Sequence, residues 1–211
     1  MMYGVSLISR YMESPMEIHL LAAKRILRYL QGTKDFGLFY KKGEKSYLIC
    51  FVDNDYAGDQ DDRKSTSGYV FVLGTGAISW SSRKQKIVTL SNTKAEFIAS
   101  IAYACQAIWL RKILKELQFK QKGATIIFCD NNSAIKLSNN PVLYGRRKHI
   151  DVKYYFLRDL NNERIVELQY CRSEDHLADI FTKPLRCLPF QKLRRLMGIN
   201  TMEEFKKLKL N

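Results

Sequence analysis

The sequence has few cysteines, and they are not arranged as a metal site or a disulfide framework would require. Its five cysteines lie far apart, and no two of them form a C-x-x-C pair. An odd number of cysteines, several of them within apolar runs, is typical of small buried side chains in a reducing compartment. Neither a structural zinc site nor a disulfide-stabilised secreted fold is therefore indicated.

Long hydrophobic runs are also missing. No run approaches the 18 consecutive apolar residues of a membrane-spanning helix, and the N-terminus Met-Met-Tyr-Gly-Val-Ser lacks the build of a signal peptide. Internal repeats and low-complexity tracts are absent from the sequence as well. We therefore expect an intracellular protein with no membrane partner.

Acidic residues are scarce relative to basic ones. The chain carries 21 Asp and Glu against 35 Lys and Arg, which gives a formal net charge of +14 at pH 7. Because the excess is spread along the chain, it suits a folded surface that follows a phosphate backbone better than a disordered basic arm. The alternative is a protein that is simply basic and has no such partner.

The order of apolar and polar segments predicts one α/β layered domain with an appendage in this chain of 211 residues. Hydrophobic periodicity and turn signals set the boundaries, and Ser14 and Glu17 have the spacing of a capping box in the first helix. The predicted elements are a helix over residues 11–31, a hairpin of Gly37–Lys41 with Ser46–Asp53, two further antiparallel strands over 68–73 and 77–80, a helix over 93–117, a strand over 125–130, a helix over 132–139, a helix through Tyr154–Leu157, a strand over 165–171, a short helix over 175–181 and a helical tail from Leu188.

Two of the apolar strands end in an aspartate, one in Asp53 and the other in Asp130. A strand holds such a carboxylate at a fixed point at the edge of a sheet. Two carboxylates placed together there repel each other and need a cation, and Mg²⁺ prefers oxygen ligands. The pattern therefore predicts a metal site, with a solvated acidic turn as the alternative for the segment after Asp53.

A calcium-binding loop is another interpretation of the acid-rich segment that begins at Asp53. Asp53, Asp55 and Gly58 fit the first, third and sixth positions of an EF-hand loop. The fifth position is Ala57, and the twelfth, which needs a bidentate Glu, is Lys64. We therefore reject this interpretation.

Seven motifs occur in one order along the chain. They are Asp53-x-Asp55-x-Ala57-Gly58-Asp59, Arg63-Lys-Ser-Thr-Ser-Gly68-Tyr69, Ile78-Ser-Trp80-Ser-Ser-Arg-Lys-Gln85, Thr93-x-Ala-Glu96-Phe, Cys129-Asp-Asn131-x-Ser-Ala-Ile135, Lys148-His-Ile-Asp151-Val and Ala178-Asp-Ile-Phe-Thr-Lys-Pro-Leu185. Together they closely resemble the RNase H domain at the C-terminus of copia-type retrotransposon Pol polyproteins. The segment from Leu7 to Thr33 resembles the end of the reverse transcriptase that precedes that domain.

The resemblance implies an α/β, RNase H-like fold, in which a mixed five-stranded sheet is flanked by helices. It divides the chain into a helical and hairpin remnant of the reverse transcriptase (residues 1–36), the RNase H-like domain (37–187) and a C-terminal helical tail (188–211). It also implies metal-dependent hydrolysis of the RNA strand of RNA–DNA hybrids, with two Mg²⁺ or Mn²⁺ ions as cofactors. By motif, the catalytic and metal-binding acids are Asp53, Glu96, Asp130 and Asp179. Without the resemblance, Glu96 is equally explained as a capping residue for Thr93, and Asp179 as a surface acid.

Basic residues near these motifs are candidates for contacts to the phosphates of the hybrid. They are Arg83, Lys84, Lys86, Arg146, Arg147 and Lys148. Each is equally open to being a solvated surface charge. His149 lies within the Lys-His-Ile-Asp motif, so we expect it to have a substrate-binding or structural role. His176 lies near Asp179, but because the two share a predicted short helix we assign it no role in product release.

The partners implied are an RNA–DNA hybrid and the remainder of a reverse transcriptase or Pol polyprotein. A non-catalytic nucleic-acid-binding relic with the same fold is the main alternative. An integrase-type strand transferase also uses carboxylates on this fold, but the sequence contains no zinc-binding His/Cys module and its motif order fits RNase H.

Overall fold

The computed structural model describes residues 1–43, 46–85, 88, 91–139 and 148–209, except for the side chains of residues 94, 137, 139, 148–154 and 208–209. The helices are α1 (Met2–Ser9), α2 (Glu17–Gln31), α3 (Asn92–Glu116), α4 (Asn132–Asn139), α5 (Lys148–Asn162), α6 (Cys187–Leu196) and α7 (Met202–Lys209). The strands are β1 (Phe36–Leu38), β2 (Leu48–Asp55), β3 (Thr66–Leu73), β4 (Gly76–Lys84), β5 (Thr125–Cys129), β6 (Val166–Tyr170) and β7 (Ile199–Thr201). Two short 3₁₀ helices, Ser173–Asp175 and Leu177–Phe181, lie between β6 and α6.

Five strands form a mixed sheet in the order β4-β3-β2-β5-β6. The first three pair antiparallel, whereas β5 runs parallel to β2 and β6 runs parallel to β5. Parallel neighbours need a crossover connection, which α3 and the α4–α5 segment provide here. The predicted mixed five-stranded sheet flanked by helices is therefore confirmed, as is the antiparallel meander that begins near Tyr47.

The sheet has a hydrophobic core on each face. Alternate residues of β2 serve the two cores, since Cys50 and Val52 pack with α3 and Phe51 packs on the opposite face. The 3₁₀ helix Leu177–Phe181 and helix α6 cover that second face. This arrangement explains why β2 and β5 have nearly continuous apolar sequences.

Helix α3 needs a separate comment, because a helix can be apolar enough on average to cross a membrane without containing 18 consecutive apolar residues. Residues Ala95–Glu116 meet that requirement by length and composition. Phe97, Ala104 and Leu110 of this helix, however, are buried in the core formed with the sheet. Core helices pass the same test, so we infer no membrane segment from α3.

The predicted hairpin of Gly37–Lys41 with Ser46–Asp53 is wrong. Strand β1 pairs antiparallel with β7 near the C-terminus, with Gly37 opposite Asn200. Gly198 adopts a φ of +84°, and its carbonyl accepts a hydrogen bond from the Phe39 N–H at 2.9 Å. Phe39 also stacks on Phe205 of α7 at a ring separation of 4.3 Å. These contacts come from a segment that is distant in sequence, so the turn signals near residue 43 could not predict them.

The start of the first predicted helix also differs from the expectation. Residues 2–9 already form α1, and α2 begins only at Glu17. In place of the predicted Ser14–Glu17 capping box, Nδ1 of His19 accepts a hydrogen bond from the Met16 N–H at 2.9 Å.

In the C-terminal segment, α6 contributes Leu193 to the second core. The division of the chain at residues 36 and 187 stays a prediction.

Candidate metal centre

Asp53 and Asp130 occupy matching positions on two parallel neighbours of the sheet. The last aligned pair of β2 and β5 is Phe51 with Phe128, and each aspartate lies two residues further along its strand direction. The carboxyl ends of parallel strands meet at the same sheet edge, so the two aspartates lie at the same end of neighbouring strands. The sequence predicted this juxtaposition from two apolar strands that end in acid.

Glu96 reaches the same edge from the N-terminal part of α3. It is buried, and its Oε1 accepts a hydrogen bond from Nδ2 of Asn92 at 2.8 Å. Its Oε2 is buried without a hydrogen-bond partner among the described residues. Burial and the nearby charges of Asp130 and Asp53 raise the pKa of Glu96 to about 7. Glu96 therefore lies close enough to both aspartates for their charges to contribute to its raised pKa.

Asp179 approaches the edge from the 3₁₀ helix Leu177–Phe181, and the absence of a side chain at Gly68 makes room for that segment. Gly68 lies opposite Asp53 in the β2–β3 pairing. A Cβ at this position would lie 2.7 Å from Cβ of Phe181 and 2.8 Å from Cγ2 of Thr182. Thr182 is fully buried, and its hydroxyl donates a short hydrogen bond to Oδ2 of Asp53. A glycine here thus allows the segment that carries Asp179 to sit directly against β2 and β3.

Two basic side chains adjoin these acids. Nζ of Lys183 lies 3.1 Å from Oδ1 of Asp179 and 3.6 Å from Oδ2 of Asp53. Nδ1 of His176 lies 3.5 Å from the same Asp179 oxygen. Burial lowers the pKa of His176, but Asp179, Asp53 and Asp130 outweigh it and raise this pKa above its ordinary value. The charges of Asp53, Asp179 and Asp130 likewise outweigh burial and raise the pKa of Lys183.

The four acids suit divalent metal ions. Their carboxylates are the hard oxygen donors that Mg²⁺ and Mn²⁺ accept. Burial raises the pKa of Asp53, and Asp179 adds to this effect while Lys183 opposes it. Burial is likewise the main cause of the raised pKa of Glu96, and the nearby carboxylates add an excess of negative charge to it. A divalent ion held by Asp53, Glu96, Asp130 and Asp179 would remove that excess.

The predicted phosphate-binding residues differ in their surroundings. Arg83 is exposed on β4. Its neighbour Lys84 forms ion pairs with Asp59 at 2.7 Å and with Asp62 at 3.0 Å. The remaining candidates lie outside the described residues (Lys86, Arg146 and Arg147) or at the start of α5 with side chains outside the description (Lys148 and His149).

Sequence reasoning gave no role to three residues at this centre, namely His176, Thr182 and Lys183. Thr182 and Lys183 lie within the last of the seven motifs, so their place beside Asp179 was the available signal. The segment was predicted as one continuous short helix. His176 instead lies between two 3₁₀ helices with an extended backbone, and this turns its ring towards Asp179.

The sheet order and the flanking helices define an RNase H-like domain. No protein-family model matches the chain. The chain is 41% identical over 197 residues to the retrovirus-related Pol polyprotein from transposon RE2 of Arabidopsis thaliana, a match that covers 93% of the chain and 14% of the polyprotein. It is 39% identical over 199 residues to the retrovirus-related Pol polyprotein from transposon TNT 1-94 of Nicotiana tabacum, covering 94% of the chain and 15% of that polyprotein.

Among solved structures, the N-terminal RNase H domain of Rv2228c from Mycobacterium tuberculosis is 12% identical, with a TM-score of 0.48. That match covers 70% of this chain and 98% of that one, and its score is too low to carry a functional comparison. The sequence matches are decisive. The chain belongs to the Pol polyproteins of copia-type retrotransposons and corresponds to their RNase H region. It spans only about one seventh of the length of these relatives.

Proposed function

We propose that this chain is a ribonuclease H that cleaves the RNA strand of RNA–DNA hybrids with the help of two divalent metal ions. One observation supports the proposal best: ligand atoms of Asp53 and Asp179 lie within 4.8 Å of each other, at the end of the sheet where Asp130 and Glu96 are also expected. Asp53 and Asp130 extend from matched positions on β2 and β5. The electrostatic influence of Asp130 and Asp53 on Glu96, and of Asp179 on Asp53, joins all four acids.

Each acid has a distinct part in this chemistry. Asp53 and Asp130, fixed by strands, would hold the ions in a constant position relative to the scissile phosphate, with Mg²⁺ the expected ion and Mn²⁺ an alternative. Bound ions would activate the attacking water and stabilise the leaving oxygen. Glu96, whose pKa is about 7, would lose its proton when a dication offsets the charge of its neighbours. Asp179 would close the site from the second face of the sheet, with Lys183 balancing its charge when no metal is bound.

Substrate binding would depend on the basic surface of the domain. A net charge of +14 favours association with the phosphates of a hybrid. Arg83 is the described candidate that is free to meet a phosphate, since it is exposed beside the sheet edge. Discrimination between RNA and DNA would require contacts to 2′-hydroxyls in the minor groove.

The remainder of a Pol polyprotein is the second proposed partner. Several apolar side chains of the α2 region are exposed, including Met16, Ile18, Leu20, Leu21 and Leu27. Exposed apolar patches of this kind are typical of protein–protein contacts. The relatives that contain a similar sequence are Pol polyproteins, so the N-terminal helices would contact the preceding part of such a polyprotein.

The deciding experiment is cleavage of a hybrid whose RNA strand is labelled, in Mg²⁺ and separately in Mn²⁺. We expect cleavage of RNA in the hybrid, no cleavage of double-stranded DNA, and loss of activity in Asp130→Asn. Asp175→Asn is the matched control, because Asp175 is a half-exposed acid of the neighbouring 3₁₀ helix that pairs only with the surface residue Lys192 among the described side chains. A hybrid that is bound but left uncut with either ion would refute the enzyme proposal and favour the non-catalytic relic.

A further inference from the structure

His176 is a polar residue buried in the second core, and hydrogen bonding does not explain why it is buried there. It is fully buried, and neither ring nitrogen has a hydrogen-bond partner among the described residues. Its ring meets Phe51 edge to face at 6.0 Å. Burying a polar group without a hydrogen bond costs free energy, so a fully buried imidazole whose only polar contact among the described residues is the 3.5 Å approach of Nδ1 to Asp179 calls for a further partner.

The direction of the ring indicates where that partner lies. One ligand atom from each of Asp53, His176 and Asp179 falls within 4.8 Å of the other two. Nδ1 of His176 and Oδ1 of Asp179 are 3.5 Å apart, which is long for a hydrogen bond. Two ligands of one ion, each at roughly 2.1 Å from it, are separated by at most about 4.2 Å, so this pair is already within range and the third atom needs only a small adjustment.

We propose that His176 is a nitrogen ligand of the metal ion held by Asp53 and Asp179, and that it shifts the preference of this position from Mg²⁺ towards late first-row ions such as Co²⁺. Mg²⁺ binds oxygen and keeps several waters, whereas imidazole suits the borderline transition metals. The inference rests on the metal-dependent function proposed above and specifies the ligand chemistry at one of its two metal positions.

Lys183 does not prevent this arrangement. Its ammonium group stands against the same two carboxylates, but its side chain is 37% exposed and can move towards solvent. The imidazole has no such freedom, because Phe51 and the core around the 3₁₀ helix Leu177–Phe181 enclose it. His176 is therefore held in place before any ion arrives, as a metal ligand should be.

The first test uses the full chain, stripped of metal and loaded with Mn²⁺ in the absence of nucleic acid. Electron spin-echo envelope modulation detects ¹⁴N directly bonded to Mn²⁺. We expect such a signal in the unmodified protein, a changed signal after selective ¹⁵N labelling of histidine, and loss of the signal in His176→Gln. His19→Gln and His149→Gln are the controls for the other two histidines, and both should keep it.

The second test is calorimetric titration of the same proteins with Co²⁺ and with Mg²⁺. His176→Gln should weaken Co²⁺ binding about tenfold or more while Mg²⁺ binding changes less than about threefold. Asp179→Asn should weaken both ions, since both use that carboxylate. A folded, Mn²⁺-saturated protein without a ¹⁴N signal would overturn the inference, as would equal losses for Co²⁺ and Mg²⁺ in His176→Gln, which would make His176 only a positioning residue for Asp179. If the unmodified protein binds none of Mn²⁺, Co²⁺ and Mg²⁺, the proposed function is overturned together with this inference. That outcome differs from a protein that binds the ions without using His176, which would overturn this inference alone.

Discussion

Arg10, directly after α1, is joined to Asp59 in the loop between β2 and β3. Nη1 of Arg10 lies 2.9 Å from Oδ2 of Asp59, and Nη2 donates to the hydroxyl of Thr66 at 2.9 Å. Asp59 is buried and also pairs with Lys84. The acidic loop that follows Asp53 is therefore anchored on the N-terminal segment, and it is not simply the solvated acidic turn that the sequence offered as an alternative.

Asp59→Asn should lower the free energy of unfolding by about 2 kcal/mol at pH 7, because hydrogen bonds to a charged group contribute about 1.5–3 kcal/mol. Burial raises the pKa of Asp59, but hydrogen bonds from Lys84, Arg10 and the backbone hold it well below its ordinary range. Since the folded pKa is the lower one, the stabilisation is complete above the unfolded pKa and is lost as pH falls below it. Urea denaturation at pH 7 and at pH 3 should show a smaller difference between the two proteins at pH 3.

Asp61→Asn is the control for this change, because Asp61 is an exposed acid of the same loop. It should unfold at nearly the same urea concentration as the unmodified protein. If Asp59→Asn behaves like this control, the ion pairs of Asp59 do not stabilise the loop.

Glu96→Gln should stabilise the metal-free protein at pH 8 and leave it nearly unchanged at pH 4. The folded pKa of Glu96 is about 7 and lies above its ordinary value, so the folded state binds the extra proton. Stability is then unaffected below the unfolded pKa and falls as pH rises between the two values. Thermal unfolding in a chelator, followed from pH 4 to 8, measures the difference.

Adding Mg²⁺ at pH 8 should reverse the order of the two proteins. A bound dication stabilises the ionised carboxylate, so the midpoint of the unmodified protein should rise more than that of Glu96→Gln. A greater stability of the unmodified protein in chelator at pH 8 would show that Glu96 is not destabilised by its neighbours.

The local sequence was sufficient to predict that Asp53 and Asp130 belong to this metal centre. It was not sufficient to predict every contact that surrounds them. Asp53 and Asp130 are predictable because each comes after an apolar run whose composition by itself indicates a strand. The pairing of β1 with β7 was missed because both strands have three residues and their partners are distant in sequence. The position of His176 beside Asp179 was missed for another reason. His176 lies between two 3₁₀ helices and contacts Phe51 of a distant strand, and no local sequence pattern reports such a contact.

Arg83→Ala should weaken binding of an RNA–DNA hybrid, whereas Lys84→Ala should mainly lower stability. Arg83 is exposed, but Lys84 is engaged with Asp59 and Asp62. Loss of one phosphate contact should reduce the slope of log affinity against log salt by about 1. Fluorescence anisotropy of a labelled hybrid in Ca²⁺, over a range of salt concentrations, gives this slope. An unchanged slope in Arg83→Ala together with a reduced slope in Lys84→Ala would reverse the assignment.

Lys183→Met should bind Mg²⁺ several-fold more tightly than the unmodified protein and be less stable without it. The ammonium of Lys183 lies against Asp179 and Asp53, so it competes with a dication for the same oxygens. Its removal leaves two buried carboxylates unbalanced, at a cost of about 1 kcal/mol for a pair that is partly open to solvent. The rise in unfolding temperature with Mg²⁺ concentration measures both effects, because ligand binding stabilises the folded state by mass action.

Lys192→Met is the matched control, since Lys192 pairs with Asp175 at 2.7 Å with both side chains about half exposed. It removes the same charge from the chain without touching the four acids, and its Mg²⁺ response should equal that of the unmodified protein. Equal gains in Mg²⁺ affinity in both variants would reflect only the lower net charge of the protein. A weaker Mg²⁺ response in Lys183→Met would mean that Lys183 holds Asp53 and Asp179 in position for the ion, so that its ammonium assists metal binding instead of competing with it.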